Sequence, residues 1–301
     1  MPELPEVEVV RAGVEPAVTG AVVAGVEVFD ERSLRRHDTS AGSFVDLLEG
    51  GLVLAAVRRG KFLWLPLASG RALVIHLGMS GQVLLRAPGS EADRLLRIRL
   101  HLEHPVQGEL WLNFVDQRIF GSMAVDRMQP TSDGLPAGFP GAATGDWMTR
   151  IPSQVAHIAR DPIDPAFSPD AFFLALSGKK TGIKRALLDQ TLISGIGNIY
   201  ADEALFDARI HYDQPAASLS AAKARTLLAS VRGILYRALA EGGTSFDAQY
   251  VNVNGQSGYF AHSLTAYGQH GKPCLRCGST MVRAQFMNRS SHFCPRCQRL
   301  R

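Results

Sequence analysis

The sequence predicts an α+β chain of more than one domain: an N-terminal helix leading into a β-sandwich or barrel, a helical C-terminal half, and a metal-stapled hairpin at the end. Three observations carry that reading. Apolar residues recur at helical spacing in the opening segment, the stretch after it switches to a strand period, and all four cysteines lie beyond residue 270. With 301 residues the chain exceeds one small core, and its 46% hydrophobic and 20% charged residues are those of a globular protein in water.

The first element runs from about Glu3 to Val18. Val7, Val10, Val14 and Val18 form its apolar stripe, and Gly20 follows as a stop. Strands follow within Leu52 to Leu67, Ala72 to Leu85, Leu95 to Leu102 and Glu109 to Val125. "RIRLHLE" alternates strictly, with Arg97, Arg99 and His101 on one face and Ile98, Leu100 and Leu102 on the other. From about Gln129 to Pro165 the composition turns to Pro, Gly, Ser, Thr and Asp, which reads as a connection with a little structure of its own. Helices resume at "SPDAFFLAL", where Ser168 is the expected N-cap and Pro169 the first helical residue. Between Ser220 and Ala240 the stripe is Leu227, Leu228, Val231, Leu235 and Leu239, closed by Gly242-Gly243. Lys223, Arg225, Arg232 and Arg237 fall on that helix as its expected solvated side.

No apolar run approaches the ~18 residues that span a bilayer. The acidic start does not read as a secretory signal, so a cytoplasmic location and no membrane partner are expected. The net charge of +4 is uneven. Residues 271–301 carry seven Lys or Arg and no acid, a cationic block suited to phosphate.

In that block Cys274 and Cys277 form one C-x2-C pair and Cys294 and Cys297 another, with sixteen residues between. Two such pairs bring four thiolates into a tetrahedron, so one structural Zn2+ is expected, with Gly278 relieving the first knuckle. "STMVRAQFMNRSSHF" between the pairs suits a two-stranded hairpin too small for its own core, and Arg289 within it is a candidate phosphate contact.

Other stretches read two ways. "GIKRALLDQTLISGIGNIYADEAL" is helix (Lys184 to Leu188), turn (Ser194-Gly195-Ile196-Gly197), helix (Asn198 to Phe206). It is either a plain helical hairpin or a backbone platform for phosphate, with Asn198 able to cap and donate. In "IHLGMSG", Met79 between glycines is either core filler or an exposed probe, and His76 is read as a hydrogen-bonded structural histidine. In "DQRIFG", Arg118 and Phe120 share a face if the stretch is extended, either as an ordinary strand edge or as equipment for entering a base stack. The start, "MPELPEVE", suits a first helical turn. It also offers a reagent. Removal of Met1 leaves Pro2 a secondary amine with a pKa near ~7.7–8.0, a nucleophile for a sugar C1′, with Glu3 beside it to move protons.

Taken together, "MPELPEVE", "GKFL", "IHLGMSG", "FVDQRIFG", "GIGNIYADEALF", "GYFAHSLTAYG" and the C-x2-C-x16-C-x2-C tail resemble the formamidopyrimidine-DNA glycosylase family, bacterial base-excision enzymes for oxidised purines. The resemblance spans nearly the whole chain. Leu4 fits this branch; the sister endonuclease VIII branch typically has Gly there.

The resemblance implies a catalytic β-sandwich domain (1–128), a linker (129–165), a helical DNA-binding domain with a helix-two-turn-helix (166–268) and a four-cysteine zinc finger (269–301). It implies Pro2 as nucleophile, Glu3 as proton donor, Glu6 as support for the helix and site, and Lys61 and Arg289 as catalytic-site phosphate contacts. Met79, Arg118 and Phe120 would fill the gap left by a flipped base, Arg118 facing the orphaned cytosine. Asn198 would grip a flanking phosphate and Lys184 would handle the oxidised purine. Gln249 to Tyr259 would fold over the extruded base, with Tyr259 a DNA contact. The implied activity is that of a glycosylase and AP lyase on damaged double-stranded DNA, acting as a monomer through a Schiff base and β,δ-elimination. The rival readings are an endonuclease VIII-type enzyme for oxidised pyrimidines and a non-catalytic zinc-stapled binder of damaged DNA. One departure stands out. Many members read Asp-Pro-Arg-Arg-Phe-Gly at "DQRIFG", so Ile119 replaces a second arginine, with a phosphate contact changed and the wedge kept.

Overall fold

The structure, a computed structural model, describes residues 2–244, 253 and 259–300. Its contacts divide the chain into two units, Met1–His157 with Thr244–Gly258, and Ile158–Gly243 with Tyr259–Arg301.

The first unit opens with helix α1, Leu4–Val18, with Glu3 as its N-cap residue. Glu6 Oε2 accepts the Glu3 N–H at 2.8 Å, one half of a capping box. Val7, Val10, Val14 and Val18 are each at most 1% exposed, as the stripe predicts. Nine strands follow among the described residues: β1 (Val22–Val28), β2 (Val57–Arg59), β3 (Phe62–Pro66), β4 (Arg71–His76), β5 (Gly81–Arg86), β6 (Leu96–His104), β7 (Gly108–Asp116), β8 (Ser122–Pro130) and β9 (Arg150–Pro152). They form two antiparallel sheets, ordered β1-β6-β7-β5 and β2-β3-β4-β8-β9. Ile98, Leu100 and Leu102 of β6 enter the same apolar core as Leu63 and Leu65 of β3, Leu73 and Ile75 of β4, and the valines of α1. Two sheets sharing one core make the expected sandwich, with α1 packed into it. The Ala72 to Leu85 stretch is interrupted at 77–80, so β4 and β5 join different sheets. Within the 129–165 stretch lie a 3-10 turn, Asp146–Thr149, and β9, which pairs with β8.

The second unit contains α2 (Pro169–Ser177), α3 (Ile183–Leu187), α4 (Asn198–Asp207), α5 (Ala221–Ala240) and a hairpin of β10 (Val282–Phe286) and β11 (Arg289–Phe293). Ser168 caps α2 through its side chain, as expected, and Pro169 is the first helical residue. On α5, Leu227, Leu228, Val231 and Leu235 are buried. The four cations of α5 do not all face solvent. Lys223 donates to the Ala208 carbonyl, and Arg232 donates to the Pro162 carbonyl and lies over the Phe167 ring. Only Arg225 and Arg237 are exposed, because the long stems of the other two reach neighbouring backbone. Among the described residues no helix is long and apolar enough to cross a membrane.

Candidate functional site

In the first unit the N-terminal residues are enclosed. Pro2, Glu3 and Glu6 are all buried, and Met1 lies outside the described residues. Glu6 works in two directions. Oε2 takes the Glu3 N–H, while Oε1 accepts from the Thr244 N–H at 2.8 Å and the Thr244 hydroxyl at 2.9 Å. One carboxylate therefore ties the start of α1 to residue 244, from which the chain runs into 245–258.

Lys61 follows the tight β2–β3 turn at Gly60, whose φ is +57°. It is half-buried in a cationic neighbourhood. Burial pushes the His76 imidazole down to about 4, and the charges of Arg36, Lys61 and Arg35 push the same way. His76 is thus neutral at pH 7. Its Nδ1 accepts the Gly78 N–H at 3.2 Å and its ring packs on Phe62, the structural role expected for it. Arg36 and Lys61 near a neutral imidazole suit an anionic ligand.

Met79, Arg118 and Phe120 are exposed, on two loops that touch. A methyl added at Gly78 would run into the Phe120 carbonyl, so the backbones meet there as only glycine permits. The buried Asp116 carboxylate organises the contact. It accepts from the Ser80 hydroxyl, from the Arg118 N–H at 3.0 Å and from the Gly121 N–H at 2.6 Å. The stretch is not extended, so the shared face does not come from strand alternation. Ile119 has φ +56°, so 117–121, between the end of β7 and the start of β8, turns and is not strand. Arg118 and Phe120 are presented by that turn, and Asp116 closes it because its two oxygens can satisfy three inward-pointing donors at once.

In the second unit the turn at 194–197 is pinned by Gln190. Its Oε1 accepts the Gly195 N–H, and its Nε2 donates to the Ile196 and Leu188 carbonyls. Gly197, not Asn198, is the N-cap of α4. Asn198 is the first helical residue and its Nδ2 donates to the Ser290 carbonyl at 3.2 Å. The cap expected of Asn198 is thereby replaced by a bond to the hairpin.

Lys184 is fully buried. Its ammonium pairs with Asp202 Oδ1 at 2.7 Å, donates to the Ser290 carbonyl at 3.0 Å and the Ser291 hydroxyl at 2.9 Å, and lies over the Phe286 ring. Asp202 Oδ2 accepts the His292 N–H at 2.9 Å. An ammonium so enclosed holds the hairpin. Arg289, at the hairpin tip, is exposed, and nothing among the described residues pairs with its guanidinium. Tyr259 is 74% exposed, with its N–H on the Glu241 carbonyl. Of the 249–259 loop, only Val253 and Tyr259 are described; the rest lies outside the described residues.

The four cysteine sulfurs lie within 4.8 Å of one another. A tetrahedron with Zn–S bonds of about 2.3 Å needs sulfurs about 3.8 Å apart, so the cluster fits one ion. Gly278, at φ +71°, turns the first knuckle and donates to the Cys274 carbonyl. The Ser279 hydroxyl and N–H push the Cys277 thiol down to about 6, while burial pushes Cys297 up to about 12. A closed four-sulfur site holds one structural zinc and builds shape. Glu203 secures the approach to it, accepting the Thr265, Ala266 and Tyr267 N–H groups and the Thr265 hydroxyl.

Asp116, Asp202, Glu203, Gln190 and Thr244 escaped the sequence reading. Asp116, Asp202 and Glu203 stand inside quoted motifs, where an acid beside Gly-rich or helical residues is a signal of backbone N–H groups to be satisfied.

Comparison with known proteins agrees with this anatomy. Residues 1–123 match the family model for the formamidopyrimidine-DNA glycosylase N-terminal domain, 158–249 that for its H2TH domain, and 271–300 that for the zinc finger found in FPG and IleRS. The formamidopyrimidine-DNA glycosylase of Leifsonia xyli subsp. xyli is 65% identical, covering 100% of both chains, and that of Thermobifida fusca is 54% identical, covering 99% of this chain and 97% of its own. The crystal structure of MutM (Fpg) from Thermus thermophilus superposes with a TM-score of 0.78 at 34% identity, covering 99% of each chain. Lactococcus lactis Fpg in complex with abasic-site DNA gives 0.78 at 26%, again over 99% of each chain. With all three segments matched and a full-length relative at this identity, the chain belongs to the formamidopyrimidine-DNA glycosylase family.

Proposed function

We propose that the chain excises oxidised purines such as 8-oxoguanine and formamidopyrimidines from duplex DNA and then cuts the strand through a Schiff base on Pro2. One observation supports this most. An arginine, a phenylalanine and a methionine stand exposed together on two interlocked turns. Such side chains stabilise a gap in a base stack and offset the few kcal/mol that base extrusion costs.

Loss of Met1 frees the Pro2 nitrogen. That amine attacks C1′ of the extruded nucleotide as the base departs with the bonding pair. Ring opening, with a proton from Glu3, gives an iminium. The iminium acidifies the C2′ proton, so elimination breaks first the 3′ and then the 5′ phosphate bond. Lys61 and Arg289 hold phosphates, Asn198 supports the same grip, and Tyr259 contacts the strand near the lesion. Lys184 acts through the hairpin it anchors. Glu6 keeps the Glu3 backbone fixed. The zinc takes no part in the chemistry. The protein works as a monomer on cytoplasmic, nucleoid DNA.

Borohydride added during cleavage of a duplex with 8-oxoguanine opposite cytosine should leave a covalent DNA adduct at Pro2, located by peptide mass. Strand cleavage with no adduct at that nitrogen would overturn the mechanism. Faster cutting of thymine glycol than of 8-oxoguanine would move the substrate class to oxidised pyrimidines.

A further inference from the structure

The Ile119 turn is strained, and a residue 84 positions away in sequence holds it. A β-branched side chain at positive φ places Cβ against backbone and persists only where surrounding contacts over-determine it. The contacts come from Arg35, just after a 3-10 turn at Glu31–Leu34. Its Nη1 donates to the Ile119 carbonyl at 2.8 Å and the Gly121 carbonyl at 2.7 Å, and its Nη2 donates to the Phe120 carbonyl. Three successive carbonyls thus converge on one guanidinium. Among the described residues no carboxylate pairs with Arg35, so the loop is its partner. Both ends of this arrangement are tied to one strap. Arg97 Nε donates to the Asp116 carbonyl at 2.8 Å, and Arg97 Nη1 meets Asp30 Oδ2 at 3.0 Å. Asp30 in turn caps the 3-10 turn that carries Arg35. The Arg32 hydrogen bond holds the Asp30 carboxyl down at about 2, keeping it ionised.

We propose that Arg35 is the positioning residue of the wedge: its planar fork fixes the left-handed turn at Ile119, and so fixes how Arg118 and Phe120 enter the base stack. This rests on the function proposed above. Lysine carries the same charge but one ammonium cannot span three carbonyls in a plane. Charge is therefore not what Arg35 supplies; geometry is.

The test uses the full-length chain with Arg35→Lys and two substrates. One is a duplex with 8-oxoguanine opposite cytosine and a neighbouring 2-aminopurine, whose fluorescence rises when a side chain unstacks it. The other is a preformed abasic site in single-stranded DNA, which has no stack to enter. Arg35→Lys should slow single-turnover excision from the duplex by about tenfold or more and abolish the fluorescence rise, while borohydride trapping on the single strand stays within twofold of the parent. Adding Ile119→Asn, which accepts the left-handed region more readily, should shrink the Arg35→Lys deficit. Duplex excision and fluorescence within twofold of the parent would overturn the proposal. So would an equal loss on both substrates, which would mean that Arg35 acts on the chemistry or on the fold at large. A deficit unchanged by Ile119→Asn would overturn the strain that the proposal assigns to the turn. If the parent protein itself forms no adduct on either substrate, the Schiff-base reading fails instead.

Discussion

The turn at 116–121 in the first unit and the hairpin tip at 287–289 in the second each put an exposed arginine on the surface, yet they are held by different chemistry. The turn is held by hydrogen bonds, from a buried carboxylate beneath it and a guanidinium over its carbonyls. The hairpin relies on a four-cysteine cluster at its base and a buried Lys184–Asp202 pair behind it. The turn grows from β7 and β8, strands of the sandwich core, so its ends are already fixed and only its conformation needs specifying. Phe286 and Phe293 of the hairpin pack on Tyr212, but the cluster at its cysteine end is small, Phe206, Ala266 and Met281 with the cysteines themselves, so a metal is needed to hold that end.

The largest effect should therefore follow removal of the metal. Cys294→Ser, or prolonged chelation, should unfold the hairpin, since structural zinc contributes on the order of 10 kcal/mol in small modules. Zinc content by atomic emission and duplex-DNA affinity should fall together. Affinity that survives zinc loss would mean that Arg289 is not a clamp. Zinc uptake should also release protons at neutral pH, because burial holds Cys297 well above the ordinary thiol range.

Next comes the buried pair. Lys184→Met leaves the Asp202 carboxylate uncompensated at 1% exposure, and breaking such a pair costs about 3–5 kcal/mol. Denaturant unfolding monitored in the second unit should show it, and Asp202→Leu added to Lys184→Met should recover most of the loss. If Lys184 instead touched the damaged base directly, Lys184→Met would lower excision with stability unchanged. The corresponding change in the first unit is milder. Asp116→Asn places an amide where two oxygens now accept three donors, a cost of about 1–3 kcal/mol. Because the turn's ends are anchored, the loss should fall on duplex excision more than on the melting temperature. A melting shift larger than that of Lys184→Met would reverse the comparison drawn here.

Legibility in the sequence follows the same division. Period and spacing are local properties, so the α1 stripe, the alternation of β6, the Ser168 cap and the four cysteines could be read directly. The Arg35 clamp could not, because the order of the strands, not local pattern, brings residues 35 and 119–121 together. The burial of Lys184 and the hairpin bond of Asn198 are hidden for a related reason. Their motif marks them as polar groups near a turn, but nothing local reveals that a hairpin 106 residues on covers the lysine. The left-handed Ile119 was invisible because β-branched residues argue for extended backbone.

The smallest effect separates the two regions by pH. His76 lies beside the turn's Gly78, and burial, reinforced by Arg36, Lys61 and Arg35, holds it at about 4 against 6.5 when unfolded. Between those values the unfolded chain binds the extra proton, so stability rises with pH across the window and is lost as pH falls from 6.5 towards 4. By a pH of about 5.5 the first unit should have lost on the order of 1 kcal/mol from this group. His76→Gln should flatten that slope while leaving the second unit's unfolding unchanged. Bound DNA should act oppositely: a phosphate among these cations offsets their repulsion, so the His76 resonance should titrate at higher pH in the complex. A His76 titration unmoved by duplex DNA would show that this cationic cluster does not receive a phosphate, and would remove Lys61 from the proposed grip.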